Sequence, residues 1–264
     1  MWPDLKVGAK TAEVGNWQRF LTEQRCFDAL DKPLVDDEAF GPKTLQATIR
    51  WQKQNRLTPL GGPGHLVVDR EDRLVAQSQG FIPFIQAKNF GPQLHPNRSR
   101  RIDVITMHTM QNGEKPDSAE NVGLWFAGKT RYAPPKASAH YGFDTDSVVQ
   151  YVRDWDVAWH AAGCNHNGIG LEHAGRAQQG AVDWADETSL KILDLSAIVA
   201  AKLVKRYNIP IVKLTPLELK NGGRGFCGHA DASIAFPGPG RDHFDPGEGF
   251  VWSHYLDLVR TLSA

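Results

Sequence analysis

Apolar residues recur at helical spacing near the N-terminus. Val14, Trp17 and Leu21 predict one helix, and Leu45, Thr48, Ile49 and Gln52 predict a second amphipathic helix ending near Asn55. Between them, residues 36–44 (DDEAFGPKT) place a tight Gly41-Pro42 turn before Thr44, which is positioned to cap the second helix. Residues 81–100 carry three prolines and no sustained period, which predicts a connector laid over the surface. From Arg101 onward the pattern is mixed α/β. The apolar run of Val104, Ile105 and Met107 predicts a buried strand that delivers His108 at its end. Val148-Val149 with Tyr151-Val152, and Ile169 to Leu171, predict further strands. The clearest helix lies in residues 186–210, where Leu190, Leu193, Ala197, Ala201 and Val204 share one face. Asp186 or Thr188 can cap its start and Pro210 follows its end. The expected fold is α/β, a mixed β-sheet flanked by helices, preceded by a small helical unit. The expected division is residues 1–80, a linker over 81–100, and a larger domain over 101–264.

Composition changes this picture little. A chain of 264 residues with 41% hydrophobic and 23% charged positions is long enough for two domains and has the make-up of a globular protein. Lys plus Arg and Asp plus Glu both number 30, so no general attraction to nucleic acid or to an anionic membrane is expected. The first residues carry no apolar run of signal-peptide length, and no stretch suits membrane insertion. Synthesis in the cytoplasm without a signal peptide is therefore expected. Cys26, Cys164 and Cys227 are an odd, widely spaced set that suggests neither a disulfide framework nor a thiolate cluster; Cys227 reads as a small buried residue.

Ten histidines are too many to assign by counting. His108 ends a predicted strand, His229 follows Gly228, which allows close backbone approach, and Asp245 precedes the turn-forming Pro246-Gly247. Two imidazoles and a carboxylate leave a fourth tetrahedral position open, as catalytic zinc sites do. From spacing alone, any one of these histidines is more often a core or surface residue than a ligand.

The neighbourhoods taken together and in order carry more weight. Met107-His108-Thr109, residues 138–144 (SAHYGFD), 158–175 (AWHAAGCNHNGIGLEHAG), 228–231 (GHAD) and 245–247 (DPG) resemble the type 2 N-acetylmuramoyl-L-alanine amidases, over roughly residues 100–262. The resemblance implies a zinc enzyme that cleaves the amide between N-acetylmuramic acid and the L-alanine of the peptidoglycan stem peptide. It assigns His108, His229 and Asp245 as zinc ligands and Glu172 as the catalytic base. Ala139 stands where another branch of the family has a catalytic tyrosine. His243 replaces a lysine that stabilises the oxyanion in many members, and Arg241 is the alternative for that role. His140, Trp159, His160, Asn165 and Asn167 are expected to line a substrate groove. His140 and Trp159 suit a packed core equally well, and His166 or His173 would be ligands in a different register.

The first eighty residues resemble the three-helix peptidoglycan-binding modules of cell-wall hydrolases, through Asp37, Phe40, Gly41, the turn to Thr44, and Trp51-Gln52. Glu38 and Ala39 depart from the usual glycine there. Together the two resemblances imply a modular endolysin: a monomer with peptidoglycan as its partner, held in the host cytoplasm until it is released to the wall. The alternatives are a cytoplasmic muropeptide-recycling amidase, a recognition protein that binds peptidoglycan without turnover, and, more remotely, a regulator that binds a cytoplasmic protein.

Overall fold

Helix α1 (Ala12–Glu23) begins where the Thr11 side chain accepts from the Val14 N–H, and it buries Val14, Trp17, Phe20 and Leu21. Helix α2 (Pro42–Gln54) starts differently from expectation. Gly41 is the N-cap residue and Pro42 occupies the first turn, a position where the missing N–H costs nothing. Thr44 therefore lies inside the helix, where its hydroxyl accepts from Gln18 Nε2 (3.0 Å) instead of capping. The structure, a computed structural model, describes residues 5–57, 67–68, 72, 75–77, 79–92, 100–238 and 242–264. Of the third helix that the three-helix resemblance implies, residues 72 and 75–77 are described and helical; the rest lies outside the described residues.

The chain divides into two compact units, Met1–Ile85 and Gln86–Ala264. In the first, the Trp17 ring meets Trp51 at 5.2 Å and Phe81 at 5.1 Å, both edge to face, and its Nε1 donates to Thr48 Oγ1 (2.9 Å). Gln52 Nε2 donates to the Val67 carbonyl (2.8 Å) and to Asp72 (2.7 Å). Phe40 and Trp51, two of the motif residues, are core residues here, and Asp37 is held by Gln18 Nε2 at 2.8 Å. The expected surface connector is only partly one. Phe81 is buried in the core of the first unit and Phe84 and Ile85 are also buried, and β1 (Phe90–Gly91) of the second unit pairs with β5 (Val157–Ala158). Apolar side chains inside the proline-rich stretch outweigh its lack of period. Residues 93–99 lie outside the described residues.

The second unit is built on a five-stranded mixed sheet. Its strands are β2 (Val104–Thr109), β3 (Tyr141–Phe143), β4 (Val148–Gln150), β6 (Gly168–His173) and β7 (Gly225–Gly228), in the order β4-β3-β6-β2-β7. Only the edge strand β4 runs antiparallel. Strand β2 lies inside the sheet, between β6 and β7, and is buried at every position, which is why its apolar residues run together. The helices are α3 (Ser118–Phe126), α4 (Ala181–Trp184), α5 (Glu187–Tyr207), α6 (Pro216–Lys220), α7 (His229–Ala235) and α8 (Trp252–Ser263). Asp186 caps α5 by accepting from the Ser189 N–H, and Asn208 ends it in the left-handed region. The buried face of α5 is wider than predicted and includes Ser189 and Ser196. Among the described residues no helix is long and apolar enough to cross a membrane.

Replacing Trp17 with alanine removes the centre of the aromatic cluster and the indole donor. The expected loss is about 3–5 kcal/mol of stability in the first unit, measured by urea unfolding followed by far-UV circular dichroism. A loss below about 1 kcal/mol would show that this cluster is not what holds the unit together.

Candidate active site

His108 is next to last in β2 and His229 directly follows β7. Parallel pairing, with Met107 opposite Gly228, brings both to the carboxyl ends of neighbouring strands. Asp245 arrives from the segment after α7. The Ala230 N–H donates to the Asp245 carbonyl (2.9 Å), and a Cβ on Gly228 would meet Pro246 Cδ at 2.8 Å. The turn beyond it needs Gly247, whose φ is 92° and whose absent Cβ would lie 1.9 Å from the Ala177 carbonyl oxygen.

The result is a tight triangle of side chains in which Asp245 turns one carboxylate oxygen to each imidazole. His108 Nδ1 lies 3.1 Å from His229 Nδ1 and 3.2 Å from Asp245 Oδ2, and His229 Nδ1 lies 3.3 Å from Asp245 Oδ1. All three residues are buried, and their ligand atoms form a group that could hold a metal ion. The fit is close. Zinc bonds of about 2.0–2.1 Å in tetrahedral geometry separate neighbouring ligand atoms by roughly 3.3–3.4 Å. Burial, only partly offset by the hydrogen bond with Asp245, pushes the His108 pKa down to about 4, so its imidazole is neutral at physiological pH. Burial alone would raise the Asp245 carboxyl, but hydrogen bonds with His108 and His229 outweigh it and hold the group well below the usual carboxylate range.

Glu172 stands directly opposite His108 in the parallel register of β2 and β6, so the expected base and the expected ligand share one end of the sheet. Burial, and secondarily the Asp245 carboxylate, raises its pKa to about 8. Both residues line a cleft of about 810 Å³ together with His229, Asp245 and His243. The His243 ring stacks on His229 at 3.8 Å with 13° between planes, its Nδ1 lies 3.9 Å from Asp245, and its side chain is half exposed. Arg241 lies outside the described residues.

Of the expected groove residues, Trp159, His160 and Asn165 line the cleft, whereas His140 and Asn167 do not. His140 is fully buried and accepts from the Gly170 N–H through Nδ1 (3.0 Å); standing just before β3, its polar ring serves the core. Asn167 uses its carbonyl to start the β2 pairing, accepting from Asp103 and Val104. Asn165 also has a structural task, because its Oδ1 accepts from the N–H groups of His160 (2.9 Å) and Ala161 (2.8 Å). His173, an alternative ligand by sequence, points away from the triangle. Its Nδ1 donates to the His108 carbonyl (2.9 Å) and its Nε2 meets Ser196 Oγ (2.7 Å), which in turn meets Tyr255 OH (2.8 Å). His166 lines a smaller neighbouring cavity beside Trp159. Sequence reasoning missed Trp125, Lys136, Ser138 and Phe244, which line the cleft from loops and from the end of α3. Of these, only Ser138, inside the SAHYGFD segment, stood in a stretch already singled out.

The family described as N-acetylmuramoyl-L-alanine amidase matches residues 98–248. N-acetylmuramoyl-L-alanine amidase A of Achromobacter lyticus is 28% identical over 168 residues, covering 61% of this chain and 85% of its own. Among solved structures, the Staphylococcus aureus hydrolase AmiA in complex with its ligand is 19% identical, covering 78% of this chain and 94% of its own, with a TM-score of 0.49. An AmpD derivative is 19% identical, covering 69% and 94%, with a TM-score of 0.47.

A carboxyl whose folded pKa is raised stabilises the fold below its unfolded value, and that contribution is lost as pH rises through the folded value. In the metal-free protein, Glu172→Gln is therefore expected to raise the melting temperature at pH 8 and above. The gain should shrink as pH falls from about 8 towards 4.5 and vanish below that. Thermal melts in chelator across this range check it, and a pH-independent difference would contradict the burial of a charged carboxylate at this position.

Proposed function

The chain belongs to the N-acetylmuramoyl-L-alanine amidase family, and on that premise we propose that it is an endolysin-like, zinc-dependent hydrolase of bacterial peptidoglycan. The bond it cleaves is the amide joining the lactyl group of N-acetylmuramic acid to the stem peptide's L-alanine. One observation carries this reading: His108, His229 and Asp245, from three separate segments, converge to 3.1–3.3 Å beside Glu172 in one cleft.

These three side chains would hold the zinc. When bound, zinc supplies Lewis acidity that polarises an amide carbonyl and makes water acidic near neutral pH. Glu172, ionised when it acts as base, takes a proton from the attacking water on its carboxylate and returns it to the departing amine of L-alanine; its place beside the three ligands in one cleft suits it to both steps. His243 faces the same cleft and donates an N–H to the negative oxygen of the tetrahedral intermediate. Burial, and next the neighbouring His229, lowers its pKa, so the donor is a neutral ring rather than a cation at neutral pH. Trp159, 42% exposed, and Trp125, 38% exposed, offer flat apolar faces at the cleft for sugar rings. The first unit would serve as a wall-binding module that raises local substrate concentration; its helix-turn-helix with the Phe40 to Thr44 turn supports that role.

Purified peptidoglycan digested by wild type should release stem peptides that begin at L-alanine, identified by mass spectrometry. Chelator treatment should abolish release and added zinc restore it. Glu172→Gln should lose about 10²–10⁴-fold in rate, and His243→Ala about 10²–10³-fold in kcat. Intact sugar-peptide linkages with retained binding would instead favour a recognition protein without turnover.

A further inference from the structure

The ring of His160 is wedged between the metal-ligand triangle and strand β6, and the sequence around it makes room for it there. A Cβ on Gly170 would come within 2.6 Å of His160 Cγ, and one on Gly168 within 3.3 Å of its Cε1. These glycines alternate along β6 with the same period that carries Glu172, so one face of the strand is emptied to seat an imidazole and then supplies the carboxylate. The backbone on either side is fixed by Asn165 Oδ1, which accepts from the His160 and Ala161 N–H groups.

From this seat, His160 Nδ1 lies 3.2 Å from His108 Nε2, while His108 Nδ1 is the nitrogen that faces His229 and Asp245. A neutral imidazole has one lone pair and one N–H. If His108 gives its Nδ1 lone pair to a metal, its proton is on Nε2 and requires an acceptor. We propose that His160 is a positioning residue for His108: its Nδ1 accepts the Nε2–H and so fixes the tautomer and ring plane that aim His108 Nδ1 at the metal. The assignment rests on the zinc reading given above. It also accounts for an anomaly. With Nδ1 accepting, His160 carries its own proton on Nε2, which is buried and has no hydrogen-bond partner among the described residues. An orphaned buried donor is costly, and its retention fits a ring whose other nitrogen is needed as an acceptor. Ligating histidines usually hand their second N–H to a carboxylate, carbonyl or water; here another imidazole takes it.

The test is zinc affinity, read by competition with a chromophoric chelator, for the full chain and for His160→Asn and His160→Phe, with folding checked by circular dichroism. Asparagine keeps an acceptor near the position of Nδ1, and phenylalanine keeps the volume without one. Zinc binding should weaken about 10–100-fold in His160→Phe and stay near wild type in His160→Asn. The tautomers of the zinc-loaded wild type, read from long-range proton–nitrogen NMR correlations, need no variant: both His108 and His160 should carry the proton on Nε2. Undiminished affinity in a folded His160→Phe, or a proton on His160 Nδ1, overturns the proposal while leaving zinc binding intact. A wild type that binds no zinc overturns the functional reading and this proposal with it.

Discussion

Two imidazole nitrogens and a carboxylate held 3.1–3.3 Å apart, with one carboxylate oxygen toward each ring, are the constraint around which the second unit is organised. Such a triangle is favourable only when a cation or protons occupy its centre, so it does not form by local preference. The rest of the unit has to impose it. Strands β2 and β7 impose two corners through a parallel register that hydrogen bonds fix along their length. The third corner is tied by the Ala230 N–H to the Asp245 carbonyl and by a turn that tolerates no Cβ at Gly247. Each tie is made by backbone, which is why the positions bearing on it are glycines or lie next to them.

Behind the triangle, polar groups taken out of water are connected in a directional chain. The His173 Nδ1–H donates to the His108 carbonyl, so its Nε2 accepts from Ser196 Oγ, whose own oxygen meets Tyr255 OH. Burial lowers the His173 pKa to about 4, which keeps the ring neutral as this chain of donors and acceptors demands. The network ties the strand carrying the ligand to α5 and α8, two helices distant in sequence, and it makes a serine on the buried face of α5 a necessity rather than a flaw. Buried polar networks of this kind are stabilising when every member is satisfied.

The first unit is held by different means. Its core is aromatic, with Trp17 edge-on to both Trp51 and Phe81, and its polar interior groups act as struts between segments. Gln18 reaches Asp37 and Thr44, and Gln52 reaches Val67 and Asp72. A unit this small buries little apolar area, so side-chain amides that join loops to helices carry a larger share of its order.

Sequence by itself determined the elements whose signal is local. The periods of α1, α2 and α5, the apolar run of β2 and the turn at Pro246-Gly247 are written in neighbouring residues, and the ordered motifs were enough to nominate His108, His229, Asp245 and Glu172. The tertiary structure decided what depends on atoms distant along the chain. It put Thr44 inside a helix because Gly41-Pro42 supplies the better start, buried Phe81 and Phe84 in a stretch that read as a connector, and sent His140 and His173 to the core while His160 went to the cleft. An isolated histidine carries no period that tells a ligand from a strut. Whether it is one or the other depends on which nitrogen meets which partner across 52 or 65 residues of chain, and that is fixed only when the sheet register is formed.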